Sequence, residues 1–294
     1  MNILDNLKIA FNQGNTVIRL IYINVGIYLI YNVINIIFTL FNLHVDISPY
    51  LSVPAEVNKL LLKPWTIITY MFMHAGLTHI LFNMIALYWF GKLFLLFFSE
   101  KQMVGLYITG GLVSALVYIV AFNLFPFFKP ELNQTVLMGA SGSIMTIIAA
   151  AAIQSPNMQM RLMFLGNIKL KYIALAAVLI SFFGITSKNA GGELAHLGGA
   201  LYGYLFVVSL RLGTDITKWI SGVVDFFTDL FSRPKLKTKP NNKNGYRKMS
   251  DTEYNANKAQ KMSDIDKILD KIKTSGYESL SADEKSRLFN QGRK

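Results

Sequence analysis

The sequence predicts an all-α polytopic membrane protein, with six transmembrane helices in one bundle and a soluble helical tail at the C-terminus. Three observations predict it. Only 16% of the 294 residues are charged and 52% are hydrophobic, against roughly 25% charged in a soluble domain. Between Ile47 and Thr214 there is no Asp, and the Glu residues are just Glu56, Glu100, Glu131 and Glu193. That same stretch divides into apolar runs close to the ~20 residues a spanning helix needs, whereas the chain beyond residue 214 turns polar and basic.

The elements follow in order. Residues 1–16 are polar and amphipathic and precede an apolar run far longer than a signal h-region, so they predict a cytoplasmic N-terminal segment rather than a signal peptide. Residues 17–213 hold the six expected spans: Val17–Leu43, Leu77–Leu95, Met103–Leu124, Met138–Ile153, Ile168–Ile185 and Leu194–Val208. The fourth and sixth are short and rich in small residues. Six spans put both termini on one side. Basic residues Lys92, Lys101, Arg161, Lys169 and Lys171 lie in the loops on the tail's side, and Lys59, Lys63, Lys129 and Lys188, mostly offset by acidic residues, in the opposite loops. With the basic tail counted, the balance favours a cytoplasmic tail side. Residues 214–232 place Ile216, Trp219, Ile220, Val223, Phe227 and Leu230 on one helical stripe, the pattern of an interfacial amphipathic helix. Residues 233–262 form a basic linker, with seven basic and no acidic residues between Arg233 and Lys248. Residues 263–294 predict a small helical hairpin, with Gly276 as a stop and Ser281–Glu284 as a capping box.

Composition also excludes function classes. No cysteine is present, which removes disulfides, thiol catalysis and cysteine-ligated metals. The net charge of +12 belongs to cytoplasmic segments of a membrane protein and not to a nucleic-acid surface. An intramembrane aspartyl protease needs two Asp in its spans, and a zincin needs H-E-x-x-H. Ion-coupled transport relies on buried carboxylates. None of these is present, and no metal or cofactor is expected.

Chemistry therefore falls to a few polar residues in apolar surroundings. Of four histidines, His74, His79 and His196 lie in or beside apolar segments, where an ionisable group is costly and points to function. In "HAGLTHILFNM", His79 and Asn83 are spaced i, i+4 and share a helix face. In "AHLGGALYG", Gly199 and Gly203 follow His196 at i+3 and i+7, so that face admits a close helix neighbour. The fourth span offers matching small residues, Gly139, Ala140 and Gly142. Packing the two brings Ser141 toward His196. A serine hydroxyl becomes a nucleophile when a base takes its proton, and the resulting oxyanion needs preorganised donors. Ser141 is thus the expected nucleophile and His196 the general base and acid. The Ser141 backbone N–H, His79 and Asn83 are the expected oxyanion donors. Glu193, three residues before His196, could reach it, but at the loop–helix boundary it is expected to face water, which favours a Ser–His dyad. Ser143 is expected to turn away and bond to its own helix.

The segments "PWTIITYMFMHAGLTHILFNM" (Pro64–Met84), "GASG" (Gly139–Gly142) and "AHLGGALYG" (Ala195–Gly203) stand in the order, and on the helices, of the rhomboid intramembrane serine proteases. The chain resembles that family over roughly Val17–Gly213, and its tail is similar to a helical extension on some bacterial rhomboids. The resemblance implies a serine endopeptidase that cuts single-pass transmembrane substrates near the outer membrane face, with membrane lipid as its other partner. It implies a structural role for His74 near the site. Two positions depart from the pattern. Met145 stands where rhomboids often have a Tyr packed on the catalytic His, and Thr66 stands where an Arg often follows the loop Trp, here Trp65. The alternative is an inactive rhomboid-like protein that binds or escorts transmembrane clients. Frequent Asn, Lys and Ile and the lack of cysteine suit a bacterial inner membrane.

Overall fold

The long apolar runs become the long helices, and polar side chains cap the start of two of them. The computed structural model describes residues 5, 11, 13–162, 166–220, 222–223, 260, 264 and 266–291. Helix α1 spans Thr16–Leu40. Asn15 Oδ1 accepts the Ile18 N–H at 3.2 Å, and the Glu100 carboxylate accepts from both the N–H (3.1 Å) and the hydroxyl (2.6 Å) of Thr16. First-turn donors of α1 are therefore satisfied by side chains. Short helices α2 (Val57–Leu62) and α3 (Thr66–Thr69) precede α4 (Leu77–Phe94). Helix α5 (Glu100–Leu124) opens with a complete capping box, Ser99 N–H donating to the Gln102 side chain at 3.0 Å and Gln102 N–H to Ser99 Oγ at 3.2 Å. Then come α6 (Ser141–Gln154), α7 (Leu170–Phe183) and α8 (Ala190–Arg211).

Four of these, α1, α4, α5 and α8, are long and apolar enough to cross a membrane. The expected fourth and fifth spans are instead short apolar helices of 14 residues each. At 1.5 Å per residue each covers about 21 Å, less than a hydrocarbon core of ~30 Å. Both shortenings are local. Gly139 has φ +129°, which an α-helix does not accept, so α6 starts at Ser141 and not at Met138. Ile168 and Lys169 are drawn into a strand and leave α7 to begin at Leu170.

Helix α6 sits in the middle of the bundle. Its broadest contact is with α8, and it also meets α5 and α4; α7 leans on α8 and α6, and α1 on α4 and α5. Two glycines set the α6–α8 spacing. A Cβ on Gly199 would overlap the Gly142 carbonyl oxygen, and one on Gly203 the Thr146 carbonyl oxygen. The helices thus meet backbone to backbone. That approach gains dispersion and Cα–H···O contacts where lipid offers no hydrophobic drive.

Two small antiparallel ribbons order the loops. β1 (Val53–Pro54) pairs with β2 (Val136–Leu137), and β3 (Gln159–Leu162) with β4 (Gly166–Lys169). Lys59 Nζ donates to the Asn133 carbonyl at 2.7 Å, and Trp65 Nε1 to the Tyr50 carbonyl at 2.8 Å. Thr66 is buried and its hydroxyl donates to the Lys63 carbonyl at 2.7 Å.

Past α8 the expected interfacial helix is described only as far as Val223. Thr217 and Ile220 are buried, Thr217 lying where a Cβ on Gly105 would be 2.8 Å from its own Cβ. Trp219 and Val223, by contrast, are exposed. Phe227, Leu230 and the basic linker, apart from Gln260, lie outside the described residues. The chain divides into two compact units, Met1–Arg233 and Pro234–Lys294. In the second, a helix over 266–275 ends at Gly276 (φ +77°), a 3-10 turn spans Tyr277–Ser279, and a last helix runs Ala282–Gln291. Ser281 N–H donates to Glu284 Oε2 at 2.7 Å and Glu284 N–H to Ser281 Oγ at 3.3 Å, closing the capping box. Lys271 lies 3.0 Å from the Glu284 carboxylate.

Gly203→Val would press a side chain onto the α6 backbone, which cannot swing aside. The expected cost is about 1–3 kcal/mol or more, read as a lower unfolding temperature in detergent. An unchanged transition would contradict the backbone contact.

Candidate active site

The chain entering α6 is held from several sides. Thr135 O accepts from the Ala55 N–H and from the Tyr118 hydroxyl, both at 3.1 Å. Asn123 Nδ2 donates to Ala55 O at 2.8 Å. Gly139 N–H donates to Tyr70 O at 2.9 Å, and the Tyr70 hydroxyl donates to Gly111 O at 2.6 Å. Gly139 is required twice over. Its positive φ suits glycine, and a Cβ there would lie 2.9 Å from Cε1 and Nε2 of His79 and 3.6 Å from Ser141 Oγ. The His79 imidazole and the Ser141 hydroxyl thus share the space above one glycine.

Ser141 is the first residue of α6, and Ala140 in the cap position has no side chain to accept from the first turn. The backbone N–H groups there remain donors at the positive end of the helix dipole. His79 Nδ1 accepts from the Ala75 N–H at 3.4 Å, so a neutral ring carries its proton on Nε2, the nitrogen beside Gly139. Asn83 follows one turn later. It is 7% exposed, and its Nδ2 has no hydrogen-bond partner among the described residues. A buried amide without a partner demands explanation. His74, buried in the loop before α4, packs edge-on against His79 with ring centroids 5.1 Å apart. Burial, and then the charge of His79, lower its pKa to about 4.

His196 lies across the α6–α8 contact. A Cβ on Gly142 would come 3.6 Å from the Ala195 carbonyl, so the residues flanking Ser141 and His196 are neighbours. The His79 and His196 rings are near enough to interact electrostatically. His196 Nδ1 is 3.1 Å from Ser181 Oγ on α7 and 3.4 Å from Glu193 Oε2 on its own helix. This corrects the expectation for Glu193. Its side chain is 16% exposed and turns in toward the imidazole, so a carboxylate does reach the histidine.

Other expected residues are placed differently. Met145 packs with Ala149 of α6 and Ala200 of α8, and against Ala177 and Val178 of α7. It therefore ties three helices together one turn beyond His196. Ser143 is not bonded to its own helix: its Oγ is buried without a partner among the described residues, lying where a Cβ on Gly111 would be 2.7 Å away. Ser181 carried no sequence signal, being a lone serine in an apolar run.

This is a helical membrane protein with a serine at an uncapped helix start, one histidine sharing the space above Gly139 with it, and a second histidine on the helix packed against its own. The chain belongs to the rhomboid family: the Rhomboid domain profile matches residues 62–212, just over half of it. Among curated relatives, it is 30% identical over 139 residues to presenilin-associated rhomboid-like protein A, mitochondrial, of Danio rerio, covering 46% of this chain and 35% of the relative. It is 29% identical over 157 residues to the Mus musculus presenilin-associated rhomboid-like protein, mitochondrial, covering 51% and 38%. It is 24% identical over 213 residues to RHOMBOID-like protein 12, mitochondrial, of Arabidopsis thaliana, covering 69% and 61%. The chain thus spans between 35% and 61% of the length of these relatives. They are mitochondrial proteins, and the bacterial inner membrane expected from composition finds no support among them. A family of unknown function, DUF6576, matches residues 248–291.

His74 supplies a pH test. Its folded pKa of about 4 lies below the ordinary imidazole value of about 6.5. The unfolded chain therefore takes up a proton that the folded chain refuses, and stability falls as pH drops from about 6.5 toward 4. The unfolding temperature should fall over that window, and less steeply in His74→Asn. Equal slopes would contradict a buried neutral His74.

Proposed function

We propose that this chain is an intramembrane serine endopeptidase that cleaves single-pass transmembrane proteins near the outer membrane face. The observation that carries the reading is the convergence of Ser141 Oγ and His79 Nε2 above Gly139. In this reading Ser141 Oγ attacks the scissile carbonyl while His196 Nε2 takes its proton. The new oxyanion is met by the Ser141 N–H, His79 Nε2–H and Asn83 Nδ2. Collapse breaks the C–N bond, and His196 returns the proton to the leaving amine. Water, deprotonated by His196, then hydrolyses the ester and restores Ser141. The unpartnered Asn83 amide is explained as a donor kept for an anion that exists only during reaction.

The substrate must unwind locally, since helical peptide bonds are shielded by their own hydrogen bonds. In the same reading residues 17–213 form the catalytic membrane domain, 214–232 lead out of it, 233–262 form the basic linker and 263–294 the hairpin. Both termini are cytoplasmic.

Ser141→Ala should abolish cleavage of a transmembrane substrate and labelling by a fluorophosphonate, while the protein stays folded in detergent. His196→Ala should also block labelling. Asn83→Ala should lower kcat by about 10²–10³, the scale of one lost oxyanion donor. Absence of labelling in the wild type would favour the client-binding alternative.

A further inference from the structure

We propose that Glu193 and Ser181 are positioning residues that hold His196 with its proton on Nδ1. The proposal rests on the protease reading above and deepens it. The Nδ1 atom has two oxygens within reach, Ser181 Oγ at 3.1 Å and Glu193 Oε2 at 3.4 Å, so the Ser181 hydroxyl and the Glu193 carboxylate converge on one nitrogen. An ionised carboxylate only accepts. The Ser181 hydroxyl then donates to Glu193 and accepts from Nδ1–H. That order of donors leaves Nε2 unprotonated, the state a general base requires.

The surroundings are built to admit this carboxylate. A Cβ on Gly184, at the end of α7, would lie 2.8 Å from Glu193 Cγ and 3.0 Å from Cδ. Only a missing side chain lets the carboxyl group pass over the α7 terminus. On its other side Asn189 Nδ2 donates to Glu193 Oε1 at 3.5 Å, and Asn189 folds over Gly192, whose Cβ would be 2.6 Å from that nitrogen. Two glycines and one amide thus fix a carboxylate that a water-facing residue would not need. Among the described residues, the charged and titratable groups facing His196 are Glu193 on its own helix and His79 on α4.

A rival role for Glu193 is to complement the dipole of α8, since it lies in the first turn. Glu193→Asp separates the two. It keeps the charge in that turn and withdraws the carboxylate from Nδ1. Acid–base catalysis is worth about 10²–10⁴, so loss of orientation should lower kcat and the fluorophosphonate labelling rate by roughly tenfold to a hundredfold, with KM unchanged. That loss is expected for Glu193→Gln, Glu193→Asp and Ser181→Ala, and Ser181→Thr should restore most of it. Gly184→Ala removes no polar group and suits φ −80°, ψ −4°, yet should slow labelling by displacing Glu193. Wild-type rates in Glu193→Asp and Gly184→Ala would overturn the proposal.

A readout independent of activity is ¹⁵N NMR of the full chain in bilayers, at a pH about two units above the ordinary imidazole value. With four histidines, the His196 signal is assigned by its loss in His196→Ala. The wild type should carry the proton on Nδ1, and the Glu193→Gln/Ser181→Ala double variant should lose that preference. A proton on Nε2 in the wild type, or no change in the variant, would overturn the proposal. Failed labelling of the wild type would instead sink the protease reading and leave the tautomer result standing.

Discussion

The backbone contact between α6 and α8 is the constraint on which the rest depends. Apolar surface buys a membrane helix little against a lipid that is equally apolar, so association needs close packing. Gly199 and Gly203 supply it by letting the carbonyls of Gly142 and Thr146 come against the α8 backbone. The residues flanking Ser141 and His196 meet in that contact, where a Cβ on Gly142 would come 3.6 Å from the Ala195 carbonyl. The small residues are thus positioning elements, as much as the loops that hold Gly139.

A second constraint is the late start of α6. A helix beginning at Met138 would have bonded the N–H groups that instead stay open at Ser141. Gly139 stops it with a positive φ, and its N–H is spent on Tyr70 O. The same glycine leaves room for His79. The short length of α6 is therefore the cost of an open helix end. Because that end carries no side-chain cap, its donors remain free for a ligand.

Much of this was legible in the sequence. Apolar runs place the helices, and the i, i+4 pair His79–Asn83 and the i+3, i+7 glycines after His196 describe faces. What periodicity misses is direction at helix ends. The strands β1 and β2 are two residues long, below any alternation signal. Glu193 looked exposed because a carboxylate near a loop generally is. Its inward turn depends on Gly184 and Ser181, which belong to a different helix. Ser143 was misread for a like reason: it is buried against α5 by a contact with no local signature. The helices count as six by composition and as four by spanning length, because a window of apolar residues does not see a strand or a positive φ cutting into it.

His79 and His196 illustrate how neighbours assign roles. Their side chains are identical, yet each has a different kind of partner at Nδ1. At His79 the partner is a backbone donor, the Ala75 N–H, which leaves Nε2 to carry the proton and act as a donor. At His196 the partners are oxygens, Ser181 and Glu193, which draw the proton to Nδ1 and leave Nε2 a base. On the proposed reading, one ring stabilises the oxyanion and the other moves the proton. Neither role is written in the residue itself. Both follow from whether the atom one hydrogen bond away donates or accepts. This is why the carboxylate that the sequence pointed toward water matters to the serine on the neighbouring helix.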